Sequence, residues 1–131
     1  MNLLLDTHAL LWWLDGSPKL GRRAHDLIAN PRSSVWVSAA TAWEIAIKVA
    51  LKRLTMREPP EVSLPREMEA LGFHALPVSV PHALGVRTLP GHHADPFDRL
   101  LVAQAQMETL TIVTADDVFA RYGVPVIDAE V

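Results

Sequence analysis

Short apolar or β-branched runs that end abruptly constrain the fold of this chain more than any other sequence feature. Asn2–Leu5 stops at Asp6, and two further runs occupy positions 35–37 and 111–114. Runs this short are typical of strands that are buried on both faces of a parallel sheet. Because helical stretches lie between them, the sequence predicts an α/β fold with a mostly parallel central sheet and helices on both faces.

Capping residues and helical spacing predict where the helices lie. Ser17-Pro18 and Ser79 with Pro81 are typical helix starts, and Asp95-Pro96 is another, with Asp95 as N-cap and Pro96 as the first helical residue. The stretch 55–64 contains Pro59-Pro60 and is predicted to be a surface loop. The predicted helices run over about 7–14, 17–30, 40–54, 65–71, 79–89 and from 96 onward.

Length and composition set broad limits. The 131 residues predict a single domain, 1–131, that can bury a core without disulfides. The absence of cysteine excludes disulfides and thiol catalysis, and it fits a cytoplasmic location. The apolar start is too short for a signal peptide or a membrane span, so no membrane association is expected. A net charge of −3 gives no signal for nucleic-acid binding. It does not exclude such binding, because a local basic patch matters more than the total charge.

Acidic residues follow the predicted strands at separate places in the chain. Since the carboxyl ends of parallel strands meet at one edge of a sheet, we expect these side chains to converge there. Crowded carboxylates repel one another unless a cation joins them, and hard oxygen ligands suit Mg²⁺ or Mn²⁺. Such a site is suited to hydrolysis of phosphodiester bonds by a metal-activated water. The acids are Asp6, Glu44, Asp98, and Asp116 or Asp117.

Each acid also has a purely structural interpretation. Asp6 and Asp116 fit the N-cap position of a helix, and Glu44 fits an i,i+4 ion pair with Lys48. A basic run beyond Glu44 either steers a phosphate backbone or forms a solvated face, and the sequence leaves both open. His92 and His93 either approach a substrate or lie on a solvated loop, and the solvated loop is the favoured expectation. The basic run comprises Lys48, Lys52, Arg53 and Arg57.

Four stretches, in this order, resemble PIN-domain proteins, and more closely the VapC-type toxins of bacterial type II toxin–antitoxin pairs. The resemblance covers essentially the whole chain. Each motif is weak alone, whereas the ordered set is specific. The stretches are LLLDTH (3–8), SAATAWEI (38–45), HADPFDRLLVAQA (93–105) and TAD (114–116).

The resemblance implies a three-layer PIN-like fold and a Mg²⁺-dependent endoribonuclease, with Mn²⁺ as a possible substitute. It further implies an RNA substrate, a homodimer, and a cognate antitoxin that lies across the active-site groove in a larger assembly. Asp6, Glu44 and Asp98 match the family's three core acids, and Asp116 matches the more variable fourth. Thr7 and Ser38 match hydroxyl residues that often accompany those acids.

The sequence leaves open two choices between neighbouring acids and two alternative functions. Matching Ala103 and Ala105 to the family pattern favours Asp98 as the acid and Asp95 as the cap, and Asp117 stays an alternative to Asp116. A catalytically inactive PIN-like interaction module would keep the same fold. A phosphatase with Asp6 as nucleophile is a further possibility. That chemistry usually requires a second acid two residues after the nucleophile, and position 8 is a histidine.

Overall fold

A computed structural model describes all of residues 1–131, and it alternates strands and helices along the chain. Two 3₁₀ segments, Val86–Thr88 and Asp117–Tyr122, complete the structure. None of the helices is both long and apolar enough to cross a membrane. The elements are β1 (Asn2–Leu5), α1 (Thr7–Asp15), α2 (Arg22–Ala29), β2 (Ser34–Ser38), α3 (Ala39–Ala50), α4 (Pro60–Leu71), β3 (His74–Leu76), α5 (Val80–Gly85), α6 (Pro96–Glu108), β4 (Thr111–Thr114) and β5 (Val126–Asp128).

The five strands form one sheet in the order β3-β2-β1-β4-β5, and every neighbouring pair is parallel. The prediction of a mostly parallel sheet flanked by helices is therefore confirmed. β1 is central, with Leu4 in register with Trp36 of β2 and Ile112 of β4. Pro77 directly follows β3 at the edge of the sheet, where its missing N–H costs no ladder bond.

Two apolar cores, one on each face of the sheet, produce the three layers. Leu3, Leu4 and Leu5 are each fully buried, and alternate side chains of a strand point to opposite faces. Leu3 and Leu5 accordingly pack with residues of α1, α2, α3 and α4, whereas Leu4 packs with residues of α6 and the second 3₁₀ segment. The central strand thus explains why its sequence is continuously apolar.

The helix α2 begins at Arg22, later than the predicted start at Ser17-Pro18. Residues 17–20 form a turn instead, and the first amides of α2 find partners at the end of the chain. Gly21 donates to the carbonyl of Ala129 at 2.8 Å, and Arg23 donates to that of Val131 at 2.8 Å. A Cβ at Gly21 would lie 2.3 Å from the backbone of Val131, so this approach requires glycine.

The segment between α3 and β3 also differs from expectation. α3 ends at Ala50, because Lys52 two residues later has a left-handed backbone with φ of 58°. α4 begins at Pro60, inside the stretch predicted to be a loop, with Pro60 in the first turn, where a missing N–H costs nothing. The later Pro65 lies within the helix rather than at its start.

Candidate metal centre

Asp6 lies directly after β1 and serves two structural purposes at once. Its Oδ1 accepts from the backbone N–H of Ala9 at 2.8 Å, which makes it the N-cap of α1. Its Oδ2 accepts from the Thr114 hydroxyl at 2.5 Å. Burial raises the pKa of the Asp6 carboxyl above its ordinary value, and these two hydrogen bonds oppose that shift. The cap interpretation is therefore confirmed, and it leaves the site interpretation open.

Glu44 lies on α3, which starts directly after β2, and its side chain is buried at the same edge of the sheet. The Thr7 hydroxyl donates to Glu44 Oε1, and Lys48 Nζ lies 2.9 Å from Glu44 Oε2. Lys48 is only partly exposed, so the pair is more than a solvated surface contact. Thr7 is thus placed beside an acid, as the resemblance implies.

Asp95 and Asp98 divide their roles at the start of α6. Asp95 is the N-cap, and its Oδ1 accepts from the amides of Phe97 at 2.8 Å and Asp98 at 3.2 Å. Asp98 lies in the first helical turn. Burial, followed by the charge of Asp95, raises the pKa of the Asp98 carboxyl to about 7, and the charges of Asp6 and Glu44 add to the rise. These acids therefore lie close enough to interact electrostatically.

Asp116 joins the same group from the end of β4. Its Oδ1 accepts from the amide of Val118 at 3.0 Å, and its negative charge contributes to the raised pKa of Asp6. Asp117 is exposed and begins the 3₁₀ segment. The structure places Asp116 rather than Asp117 in the acidic cluster, a name used below for Asp6, Glu44, Asp98 and Asp116.

His93 lies beside two acids of the acidic cluster, so the favoured expectation of a solvated loop position was wrong for it. Its Nε2 lies 2.9 Å from Asp98 Oδ2 and 2.9 Å from Asp116 Oδ2, and its side chain is 18% exposed. His92 is exposed, as expected for that loop. The signal available in the sequence was position: His93 precedes the Asp95-Pro96 cap by two residues, where a turn brings it back over the helix start.

Arg99, named in the sequence only as part of a motif, holds the loop that carries His93. Its guanidinium donates to the carbonyls of Pro90 at 2.9 Å, Val86 at 3.1 Å and Leu89 at 3.3 Å. The amide of His93 donates to the Tyr122 hydroxyl at 2.7 Å. The backbone of this loop is therefore bonded both to α6 and to the second 3₁₀ segment.

Ser38 supports the acidic cluster without contacting an acid. Its Oγ accepts from the amide of Ala40 at 3.0 Å, which caps α3, and donates to Gln104 Oε1 at 2.6 Å. Gln104 is fully buried, and its amide group also donates to the carbonyl of Pro77 at 3.2 Å. Ser38 thereby connects the helix that carries Glu44 to the helix that carries Asp98.

Exposed aromatic and basic side chains flank Glu44 in the sequence. Trp43, adjacent to Glu44, is 62% exposed and packs edge-on against Phe97 with ring centroids 5.2 Å apart. Of the basic run, Lys48 pairs with Glu44, whereas Lys52, Arg53 and Arg57 are exposed.

The residues of the acidic cluster fit a hard divalent cation. Four carboxylates approach from separate elements. Burial raises the pKa of Asp98 to about 7, and repulsion from the charges of Asp95, Asp6 and Glu44 adds to the rise. A cation would relieve this repulsion, and an all-carboxylate set with open positions for water is the coordination that Mg²⁺ and Mn²⁺ favour. The Asp98, Asp116 and His93 donor atoms lie within 4.8 Å of one another.

The fold and this site correspond to a known family. The sequence model of the PIN domain matches residues 3–125, and the chain belongs to the PIN domain family. It is 40% identical over 57 residues to Ribonuclease VapC16 of Mycobacterium tuberculosis. That alignment covers 44% of this chain and 39% of the relative.

Solved structures share the fold over nearly the whole chain. VapBC2 of Rickettsia felis, bound to a DNA fragment from its promoter, superposes with a TM-score of 0.73 at 15% identity, covering 98% of both chains. DNA-bound VapBC of Salmonella typhimurium superposes with a TM-score of 0.66 at 20% identity, and the alignment covers 98% of both chains. A toxin–antitoxin complex of Klebsiella pneumoniae superposes with a TM-score of 0.61 at 23% identity, and the alignment covers 97% of both chains.

Proposed function

We propose that this chain is a metal-dependent endoribonuclease that acts as the toxin of a toxin–antitoxin pair. The observation that carries the proposal is the acidic cluster, in which four elements of the sheet edge each contribute one carboxylate. Asp6, Glu44, Asp98 and Asp116 would hold Mg²⁺, or Mn²⁺ in its place. Such a metal lowers the pKa of a bound water and offsets charge on phosphate oxygens during hydrolysis of an RNA phosphodiester bond.

The chain's own residues hold the carboxylates in place for that reaction. Thr114 and the Ala9 amide fix both oxygens of Asp6, and Thr7 with Lys48 holds both oxygens of Glu44. The Asp95 cap sets the first turn of α6, from which Asp98 extends. Pre-positioned ligands of this kind reduce the reorganisation that metal and substrate binding would otherwise require.

The partner is a cognate antitoxin, and the functional unit is a homodimer of one-domain chains in the cytoplasm. Support comes from the relatives, because several solved structures with this fold are toxin–antitoxin complexes. A bound antitoxin across the acidic cluster would prevent access of RNA.

The test is RNA cleavage by the purified chain, freed of any copurifying protein, with Mg²⁺ and with EDTA. Asp6→Asn and Asp98→Asn should each abolish cleavage and relieve growth arrest on expression. Asp117→Asn is the matched control, because it removes an exposed acid next to the cluster and should retain activity. Cleavage by Asp98→Asn at the wild-type rate would contradict the assignment.

The alternative is a catalytically inactive interaction module. It would bind an antitoxin-like partner, and calorimetry would detect no binding of Mg²⁺ or Mn²⁺ to the isolated chain. Metal binding that Asp98→Asn abolishes, together with metal-dependent cleavage, would exclude it.

A further inference from the structure

The imidazole of His93 is held in one orientation by the start of α6. Its Nδ1 accepts from the backbone N–H of Asp95 at 3.1 Å. A ring nitrogen that accepts a hydrogen bond carries no hydrogen, and in a neutral imidazole the other nitrogen then carries it. Nε2 is therefore the N–H donor, and it is Nε2 that faces Asp98 and Asp116.

This arrangement argues against the simplest interpretation of the three neighbouring donor atoms. His93, Asp98 and Asp116 are close enough to share a metal ion. A histidine binds a metal through a nitrogen that lacks hydrogen, while the other ring N–H donates to an acceptor. In His93 these roles are reversed, because the nitrogen nearest the carboxylates bears the hydrogen and the other nitrogen faces an N–H.

We infer that the Nε2–H of His93 donates to Asp116 Oδ2 beside Asp98 Oδ2, an arrangement called the clasp below, and that His93 is a positioning residue outside the coordination sphere of the metal. The inference rests on the proposed metal site and names how two of its ligands are held together. Asp98 comes from α6 and Asp116 from the end of β4, so the clasp joins two elements that the sequence separates.

The clasp completes the orientation of Asp116. Asp116 Oδ1 accepts a hydrogen bond from the Val118 amide, and Asp116 Oδ2 accepts one from His93 Nε2. An ionised carboxylate offers about four acceptor positions, so positions remain for a metal after both contacts.

The ring of His93 is itself fixed from several sides. Its backbone amide is bonded to the Tyr122 hydroxyl, and its ring packs against Phe119 with centroids 5.9 Å apart and an interplanar angle of 66°. Moving the hydrogen from Nε2 to Nδ1, so that Nε2 could bind a metal, would break the contact with the Asp95 amide and place two N–H groups face to face.

Nitrogen-15 NMR of the full-length chain with labelled histidine tests the clasp directly. In the metal-free protein, the His93 signals, assigned by their loss in His93→Gln, should show hydrogen on Nε2 and none on Nδ1. The opposite assignment would overturn the inference, and this measurement is independent of whether the chain cleaves RNA or binds a metal.

Titration with Mg²⁺ then separates the clasp from the proposed function. We expect the carboxyl carbon signals of Asp98 and Asp116 to shift while His93 Nε2 keeps its hydrogen. Loss of that hydrogen with a metal-induced shift of Nε2 would show that His93 is a ligand and overturn the inference. Unshifted carboxyl signals would instead contradict the proposed metal site, and the metal-free spectrum would still decide on the clasp.

Substitutions give a second measurement, the Mg²⁺ affinity by calorimetry. His93→Ala should weaken binding by about 10-fold, as loss of a residue that orients a ligand does. His93→Gln keeps an N–H donor at the side-chain end and should retain most of the affinity. His92→Ala, on the exposed neighbour, is the control and should bind like wild type.

Two results would contradict the clasp. Equal losses in His93→Gln and His93→Ala would indicate a nitrogen ligand. Tighter binding by His93→Ala would indicate that the ring competes with the metal. Thermal unfolding of each variant establishes that it is folded, and if His93→Ala does not fold, the comparison of His93→Gln with wild type decides.

Discussion

The hydroxyl of Thr114, the last residue of β4, donates to Asp6 Oδ2 at 2.5 Å, where Asp6 directly follows the neighbouring strand β1. The hydroxyl oxygen of Thr114 also accepts from the backbone N–H of Asp116 at 3.0 Å. One buried hydroxyl therefore contacts one acid of the cluster and the backbone of another, and the parallel register of β1 and β4 makes this possible.

Thr114→Val should weaken Mg²⁺ binding by about 10- to 100-fold, the usual effect of losing a group that orients a metal ligand. The substitution keeps the shape of the side chain but removes the donor that lowers the pKa of Asp6, so that carboxyl would bind a proton more tightly. Calorimetry measures the affinity. Thr111→Val, at the other end of the same strand, is the control, and equal effects of the two variants would contradict the role of Thr114.

Asp95→Asn and Asp98→Asn should differ sharply in RNA cleavage. An asparagine at position 95 still caps α6, and it also removes the charge that contributes to the raised pKa of Asp98, so activity should change little. Asp98→Asn removes a proposed metal ligand and should lower the rate by at least about 100-fold. Single-turnover cleavage of a synthetic RNA measures both, and equal losses would mean that the two residues have been assigned wrongly.

The metal-free protein should become less stable as the pH rises toward neutrality. The pKa of the Asp98 carboxyl is raised from 3.8 to about 7 by folding, so between these values the folded chain binds a proton that the unfolded chain lacks. Stability then falls as the pH increases through this window, and the raised pKa of Asp6 acts in the same direction.

Thermal unfolding in EDTA measures this effect. The wild-type melting temperature should be a few degrees higher at about pH 5.5 than at about pH 7.5, and Asp98→Asn should show a smaller difference. Mg²⁺ should restore stability mainly at the higher pH, since it binds ionised carboxylates. Identical pH profiles for the wild type and Asp98→Asn would contradict the prediction.

Arg99→Lys should destabilise the fold by about 1–2 kcal/mol, because one ammonium group cannot reach the separate carbonyls that the guanidinium bonds. Those carbonyls belong to Pro90, Val86 and Leu89. Urea denaturation measures the loss. Arg87→Lys, on an exposed arginine of the same region, is the control and should be close to neutral.

The main features of the fold could be predicted because they follow from local patterns. The apolar run of β1 and the Asp95-Pro96 start of α6 each depend on a few neighbouring residues. The start of α2 could not be predicted in this way. Its first amides bond to Ala129 and Val131, more than a hundred positions away in the chain, so the local signal of Ser17 was overridden.

The sequence by itself determined the acids, their order and the edge of the sheet toward which they extend, because strand ends and helix starts are encoded locally. Only the tertiary structure brought Asp116 rather than Asp117 close to the other acids, placed His93 among the carboxylates and set which of its nitrogens faces them. Those outcomes depend on contacts between β4, α6 and the loop held by Arg99. Such contacts arise from packing between distant segments, which no spacing of residues along the chain specifies.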